Sequence, residues 1–141
     1  AVEVWITPIQ GLPERSAITR ARHQAVWGPD MYEVLHRSAM TLNHHIDVAE
    51  AYAGNLRLFE ATGVGTLLVT DWKKNLHQMF EPGKEVISYR SPEECVELVR
   101  YYLDHEEERR AIAAAGQRRT LRDHTYHQRM QELVSLVEKQ L

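Results

Sequence analysis

Short apolar runs, each ended by turn residues, recur along the chain and predict β-strands. They cover residues 2–6, 24–27, 40–44, 67–70 and 85–89. Leu67, Leu68 and Val69 follow one another without a polar residue, as in a strand that is covered on both faces. Two prolines and a glycine predict a loop over residues 8–14.

Apolar residues at helical spacing predict helices between and after these strands. They cover residues 30–37, 55–62, 106–115 and 124–139, and a further helix begins at Ser91. Ser91 is the N-cap of that helix, Pro92 takes its first position, and Glu94 stands three residues after the cap. Gly116 is expected to end the helix that covers residues 106–115. Residues 46–53 fit either a helical turn or a long loop.

Strands that alternate with helices indicate an α/β fold with a parallel sheet. We therefore predict a Rossmann-like parallel sheet with helices on both faces and a helical C-terminus. Ligands of such sheets bind beyond the carboxyl ends of the strands. The loop 52–55 follows the predicted strand 40–44 and is expected to lie at such an end.

The segment 54–71 holds the candidate chemistry. Gly54 and Asn55 permit a sharp turn into a short helix, which is expected to end near Gly63. The start of a helix presents unpaired backbone N–H groups and a positive dipole end, which suit a phosphate. Arg57 in the first turn and Glu60 one turn later form a pair that suits a diphosphate and a sugar hydroxyl.

Composition narrows the function classes. The chain has 141 residues, 43% of them hydrophobic and 26% charged, and we expect a single domain over residues 1–141. A formal net charge of −3 gives no general attraction to nucleic acid or to anionic membranes. Cys95 is the single cysteine, which favours a reducing, cytoplasmic setting. No apolar run reaches the roughly 18 residues of a membrane span. Because the sequence opens on Ala1, we expect a fragment of a longer protein.

Four stretches of the sequence resemble one family when they are taken in order. They are GPDMYEVLHRSAMTLNHH, GNLRLFEATGVGTLLVTD, EVISYRSPEECVELVRYYL and AAAGQRRTLRDHTYHQRM. Together they resemble the C-terminal part of a group 1 glycosyltransferase, in its spore-maturation-protein-like branch, over about residues 24–130. The resemblance implies one half of a GT-B fold, in which two Rossmann-like domains face each other across a cleft. It also implies that this half binds the donor and that an N-terminal acceptor domain is missing.

The resemblance also implies a donor site. Glu60 matches the glutamate that contacts the ribose hydroxyls, and the amides of Gly54, Asn55 and Leu56 match the diphosphate-binding segment. Val26, Trp27 and Gly28 match the loop that packs on the base. Tyr52 stands where many relatives carry a second glutamate near the donor sugar. The implied donor is a UDP-, GDP- or TDP-linked sugar, with no cofactor and no metal, and sugar transfer to a hydroxyl is expected of the full-length parent.

Each candidate residue also has a purely structural interpretation. Glu60 and Arg57 fit an exposed helix surface, Asn55 fits an N-cap, and Trp27 fits the core. His44 and His45 carry metal-ligand side chains, but neighbours on a strand point to opposite faces, so one of them is expected to line the cleft instead. A non-catalytic, flavodoxin-like nucleotide-binding or interaction module is the alternative that Tyr52 favours. A sugar-nucleotide epimerase of GT-B architecture is a third possibility.

Overall fold

The computed structural model describes residues 2–5, 11 and 13–140. The chain divides into two compact units, residues 1–34 and 35–141, which are described separately below. Most of the predicted loop 8–14, and the end of the predicted strand 2–6, lie outside the described residues.

The first unit contains a short parallel pair of strands. β1 (Val4–Trp5) pairs with β2 (Arg22–His23), and α1 (Ala17–Ala21) lies between them in the chain. The predicted strand 24–27 is wrong, because these residues form no ladder and adopt irregular backbone. Trp27 at its end is 74% exposed, so no burial there favours an extended strand. Sequence reasoning also missed α1, which is only five residues long.

α2 (Pro29–Arg37) starts in the first unit and ends in the second, and it confirms the helix predicted over residues 30–37. Pro29 occupies the helix start, where its missing N–H costs no hydrogen bond. In the second unit, the Thr66 hydroxyl donates to the backbone carbonyl of Leu35, which lies in the last part of α2.

The second unit is built on a three-stranded parallel sheet. Its strands are β3 (Met40–Asn43), β4 (Leu67–Asp71) and β5 (Ile87–Tyr89), in the order β3-β4-β5. In this register Thr70 lies opposite both Asn43 and Ser88, and Asp71 lies opposite Tyr89. All five residues of β4 are buried, as the unbroken apolar run predicts.

Helices connect and follow these strands. They are α3 (Arg57–Gly63), α4 (Leu76–Met79), α5 (Pro92–Asp104), α6 (Glu106–Asp123) and α7 (Tyr126–Glu138), with a 3-10 turn at Asp47–Ala49. The one-turn helix α4 was not predicted, and the 3-10 turn resolves the open assignment of residues 46–53. Parallel strands flanked by helices, with a helical C-terminus, confirm the predicted α/β, Rossmann-like fold.

The core of the second unit joins the sheet to α5 and α6. Leu67, Val69 and Ile87 pack with helix residues that are also buried, among them Tyr102 and Ile112. The opposite face of β4 is buried too, because Leu68 and Thr70 are fully covered. Burial on both faces explains why β4 carries no alternating polar residues.

The predicted end of a helix at Gly116 is wrong, because α6 continues through Gly116 to Asp123. A β-carbon added at Gly116 would overlap the backbone carbonyl oxygen of Glu85. Glycine is therefore needed here for close packing of the helix on the segment before β5, and not to end the helix.

Candidate functional site

The loop between β3 and α3 is fixed by the segment that follows β4. The Ala53 amide donates to Asn75 Oδ1 over 2.7 Å, and Asn75 Nδ2 donates back to the Ala53 carbonyl over 2.9 Å. Lys73 Nζ donates to the Glu50 carbonyl over 2.6 Å. Glu50 adopts φ 45°, which a non-glycine residue holds only where its neighbours fix the backbone. The loop therefore has one defined course past the carboxyl ends of β3 and β4.

Asn55 anchors the last part of this loop to the sheet. Its Nδ2 donates to Asn43 Oδ1 over 2.9 Å, and Asn43 Nδ2 donates to Thr70 Oγ1 over 3.0 Å. The N-cap interpretation of Asn55 is wrong, because Leu56 occupies the N-cap position and no side chain caps the helix. Within the described part of the chain, the backbone N–H groups of Asn55, Leu56 and Arg57 have no acceptor. They remain able to bind an external oxygen.

Helix α3 starts two residues later than predicted and ends at Gly63, as predicted. Leu58, Ala61 and Thr62 are its buried residues. The Thr62 hydroxyl lies 2.6 Å from the Thr120 hydroxyl of α6. This contact fixes the rotation of α3, so Arg57 and Glu60 lie on its less covered side.

Glu60 and Arg57 form an ion pair on α3, with 3.3 Å between Glu60 Oε2 and Arg57 Nη1. Their side chains are only 20% and 34% exposed, respectively. Glu60 is therefore neither a fully solvated carboxylate nor a core residue. The pair places a hydrogen-bond acceptor and a cation within one turn of the unpaired amides.

The other predicted site residues differ in their surroundings. Tyr52 and Leu56 are exposed side chains on the loop before α3. Gly54 does not adopt a left-handed φ, and a β-carbon there would meet no atom within 4 Å, so the backbone is open on that side. Trp27 and Gly28 belong to the first unit, where Gly28 adopts φ 57° and Trp27 is exposed. The core interpretation of Trp27 is therefore wrong.

A polar cluster at the carboxyl end of β4 was missed by sequence reasoning. Asp71 Oδ1 accepts from the His45 amide over 3.0 Å and from His45 Nδ1 over 2.7 Å. Asp71 Oδ2 lies 3.3 Å from Lys73 Nζ. His45 is buried, and its Nε2 has no hydrogen-bond partner among the described residues. The position of Asp71, directly after an apolar run that forms a buried strand, is the signal that could have revealed it.

These contacts set the protonation of Asp71. Burial disfavours its charge, but the side-chain and backbone hydrogen bonds from His45 and the nearby Lys73 outweigh burial and hold the pKa of Asp71 below its usual value. At neutral pH Asp71 is therefore a carboxylate that accepts hydrogen bonds and donates none.

Tyr89 joins this cluster from β5. Its hydroxyl donates to the Asn43 carbonyl over 2.9 Å and lies 3.3 Å from His44 Nδ1. Burial and the charge of Asp71 raise the pKa of Tyr89 to about 12, so the hydroxyl stays protonated. His44 is exposed at the same edge, while His45 is buried. His44 is therefore the histidine that faces the open side of the sheet.

No group of three or more His, Cys, Asp or Glu side chains in the described ranges is arranged to hold a metal ion. Among the helices of residues 13–140, none combines the length and apolarity that crossing a bilayer requires.

Residues 4–135 match the model of a family described as glycosyl transferase-like. Because this match covers most of the chain, the chain belongs to that family. Membership supports a role in glycosyl transfer in general. The family description names neither a donor nor an acceptor, so it supports no more specific role. A search of curated proteins found none that matches the chain.

Proposed function

We propose that this chain is the donor-binding half of a GT-B glycosyltransferase and binds a nucleotide-diphosphate sugar. The observation that carries the proposal is the placement of Glu60, on a fixed helix directly after a loop with unpaired amides. The resemblance to the spore-maturation-protein-like branch supports the same assignment. We also propose that the full-length parent is cytoplasmic and has a separate acceptor domain.

The charges around α3 suit the two ends of a nucleotide diphosphate. The amides of Asn55, Leu56 and Arg57 donate to diphosphate oxygens, and the Arg57 guanidinium adds positive charge beside them. The Glu60 carboxylate accepts from two ribose hydroxyls, since an ionised carboxylate offers two oxygens. These groups stabilise the leaving diphosphate without a metal ion.

The loop is organised before the donor arrives. Asn75 holds Ala53 by two hydrogen bonds, and Asn43 holds Asn55, so the loop backbone does not have to be ordered on binding. Preorganisation lowers the entropic cost of binding and leaves more interaction energy to orient the sugar. We assign the general base to the acceptor domain. This chain alone is then expected to bind nucleotide without transferring sugar, and measurable transfer by the chain alone would contradict that assignment.

The test is a titration of the chain with UDP, GDP and TDP, followed by backbone amide chemical shifts. Saturable shifts for one nucleotide at Asn55–Glu60 are expected. Glu60→Gln should weaken that binding about 10- to 100-fold, because each hydrogen bond to a charged group contributes about 1.5–3 kcal/mol. Glu97→Gln, which changes an exposed glutamate of α5, is the matched control and should leave the affinity unchanged.

A second candidate function is a non-catalytic nucleotide-binding module. The observation that favours it is the exposed Tyr52, which stands where the resemblance to the family implies a second glutamate near the donor sugar in many members. Comparing UDP with UDP-glucose, or the matching pair for the preferred base, separates the two functions. Tighter binding of the sugar nucleotide supports the transferase. Equal affinity, with binding still dependent on Glu60, supports the module, and no saturable shift at residues 55–60 refutes both.

A further inference from the structure

A second concave site lies at the carboxyl ends of β3, β4 and β5. It is an open cavity of about 570 Å³, within the range of about 300–1,000 Å³ that is usual for small-molecule sites. Its lining includes Leu42, His44, Asp71, Trp72, Tyr89 and Arg90. None of the residues from Tyr52 to Glu60 belongs to this lining, so the cavity is separate from the proposed nucleotide contacts.

Aromatic and aliphatic surfaces form much of the wall. Trp72 is about 40% exposed, and its backbone N–H donates to the Tyr89 carbonyl over 2.7 Å. The Arg90 guanidinium carbon lies 4.3 Å from the Trp72 ring centroid, in a cation–π contact. These two interactions hold the indole in a fixed place at the wall. A fixed aromatic ring suits a flat, largely apolar ligand face.

The polar part of the wall offers a carboxylate in a fixed orientation. His45 occupies Asp71 Oδ1 with two hydrogen bonds, whereas Asp71 Oδ2 lies 3.3 Å from Lys73 Nζ and 3.9 Å from His44 Nδ1. His44 itself is mostly exposed. The Tyr89 hydroxyl donates its proton to Asn43, so it accepts from His44 Nδ1 and leaves the other ring nitrogen of His44 for a ligand. The cavity thus presents acceptors together with the donors of Arg90.

We propose that this cavity binds a sugar ring. A pyranose has an apolar C–H face that packs on an indole and hydroxyl groups at its edge that both donate and accept. Asp71 Oδ2 accepts from a hydroxyl, and the Arg90 guanidinium donates to one. The proposal goes beyond donor recognition at α3, since it assigns a separate saccharide subsite to other residues.

A sugar ring reaches the cavity from one of two sources, which the experiment distinguishes. The chain is titrated with the methyl glycosides of glucose, galactose, mannose and N-acetylglucosamine, then with UDP and with UDP-glucose. Shifts are followed at the amides of Leu42, His44 and Arg90 and at the Trp72 indole N–H. Saturable shifts with a methyl glycoside identify a free saccharide. Shifts with UDP-glucose that neither UDP nor any methyl glycoside produces identify the sugar of a donor.

Variants test whether the shifts come from binding in the cavity. Trp72→Leu and Arg90→Gln should each weaken saccharide binding about tenfold or more. Both side chains are partly or fully exposed, so the fold should tolerate these changes. Tyr126→Leu and Arg100→Gln change an exposed tyrosine and an exposed arginine elsewhere in the second unit and should leave the affinity unchanged.

Three results would overturn the saccharide proposal. They are no saturable shift at the cavity with any probe, shifts that Trp72→Leu and Arg90→Gln leave unchanged, and shifts that UDP alone reproduces. The nucleotide proposal is judged separately, by shifts at Asn55–Glu60 with UDP, GDP or TDP. Failure of one proposal is therefore visible independently of the other.

Discussion

At the scale of single residues, the carboxyl end of the sheet is organised by one buried carboxylate–imidazole pair. Asp71 ends β4, and His45 lies two residues beyond the end of β3. Because both the backbone and the ring of His45 donate to the same oxygen of Asp71, these two hydrogen bonds hold the carboxylate in one orientation. Its second oxygen then faces Lys73 and His44, at the edge where ligands of parallel sheets bind.

This arrangement predicts acid sensitivity that depends on Asp71. The pKa of Asp71 is lower in the folded chain than its usual value of 3.8, so the unfolded state binds its proton first as the pH falls. The stabilisation by Asp71 is therefore present above pH 3.8 and is lost as the pH falls through the folded pKa. Asp71→Asn should lower the free energy of unfolding by about 1–3 kcal/mol at neutral pH and flatten its acid dependence.

Urea denaturation of both proteins between neutral pH and the acid limit of folding measures this effect. Asp104→Asn, which removes an exposed carboxylate at the end of α5, serves as the control and should preserve the acid dependence. Parallel pH profiles for the parent chain and Asp71→Asn would show that the contacts with His45 do not stabilise the ionised carboxylate.

The sequence contained part of this residue-level picture. It predicted that His44 and His45 point to opposite faces, and the structure leaves His44 exposed and buries His45. That one of them lines the cleft stays a prediction. It did not predict the partner of His45, because His45 and Asp71 are 26 positions apart in the chain and meet only through the register of β3 and β4. Local periodicity has no information about that register.

At the scale of elements, contacts of α6 decide where the helices lie. Thr120 contacts Thr62 of α3, and Gln117 Nε2 donates to the Gly63 carbonyl over 3.1 Å. Gly116, next to Gln117, faces the backbone of Glu85. The same stretch of α6 therefore supports both the helix with Glu60 and the segment that leads into β5.

Gly116→Ala is expected to destabilise the chain, although alanine favours a helix. The added β-carbon overlaps the Glu85 carbonyl oxygen, and backbone must move to relieve the overlap. Overpacking costs about 1–3 kcal/mol, and an overlap with backbone lies above the lower end of that range, so the cost exceeds the roughly 1 kcal/mol gained in helix propensity. Urea denaturation should show a net decrease in the free energy of unfolding.

Gly63→Ala is the matched control in the same helix pair. Its β-carbon would lie 3.6 Å from Thr120 Cγ2, which is ordinary van der Waals contact, and Gly63 has no left-handed φ. The control should be neutral or stabilising. Equal effects of the two substitutions would mean that close packing at Gly116 does not matter.

Gly116 also shows why the ends of helices and strands were harder to predict than the presence of these elements. Glycine ends helices and also permits close packing, and the sequence does not separate these two uses. The helix end at Gly63 was predicted correctly, whereas the end at Gly116 was not. The false strand at 24–27 has a similar cause, because a short run with three apolar residues forms a strand only where a partner strand pairs with it and covers it.

At the scale of the whole molecule, burial within the second unit falls from the centre of the sheet to the C-terminal helix. β4 pairs with both β3 and β5, and all five of its residues are buried. In α7 no residue is buried, and about half of each apolar side chain is exposed at Met130, Leu133, Val134, Leu136 and Val137. The helix is nevertheless well capped, since Thr125 and Gln128 form a capping box. Apolar residues at helical spacing predicted a helix over residues 124–139, which α7 matches closely.

This gradient predicts the order of amide hydrogen exchange along residues 35–140. The amides of Leu67–Asp71 should exchange only through global unfolding, with the free energy of about 5–15 kcal/mol that is typical of a domain. The amides of Tyr126–Glu138 should exchange much faster, because a 13-residue helix without tertiary burial is marginal in water despite its cap. Exchange followed by NMR, with α5 as an internal comparison, measures both. Protection of α7 as strong as that of β4 would show that the two open as one cooperative unit and that the exposed apolar face does not limit the stability of α7.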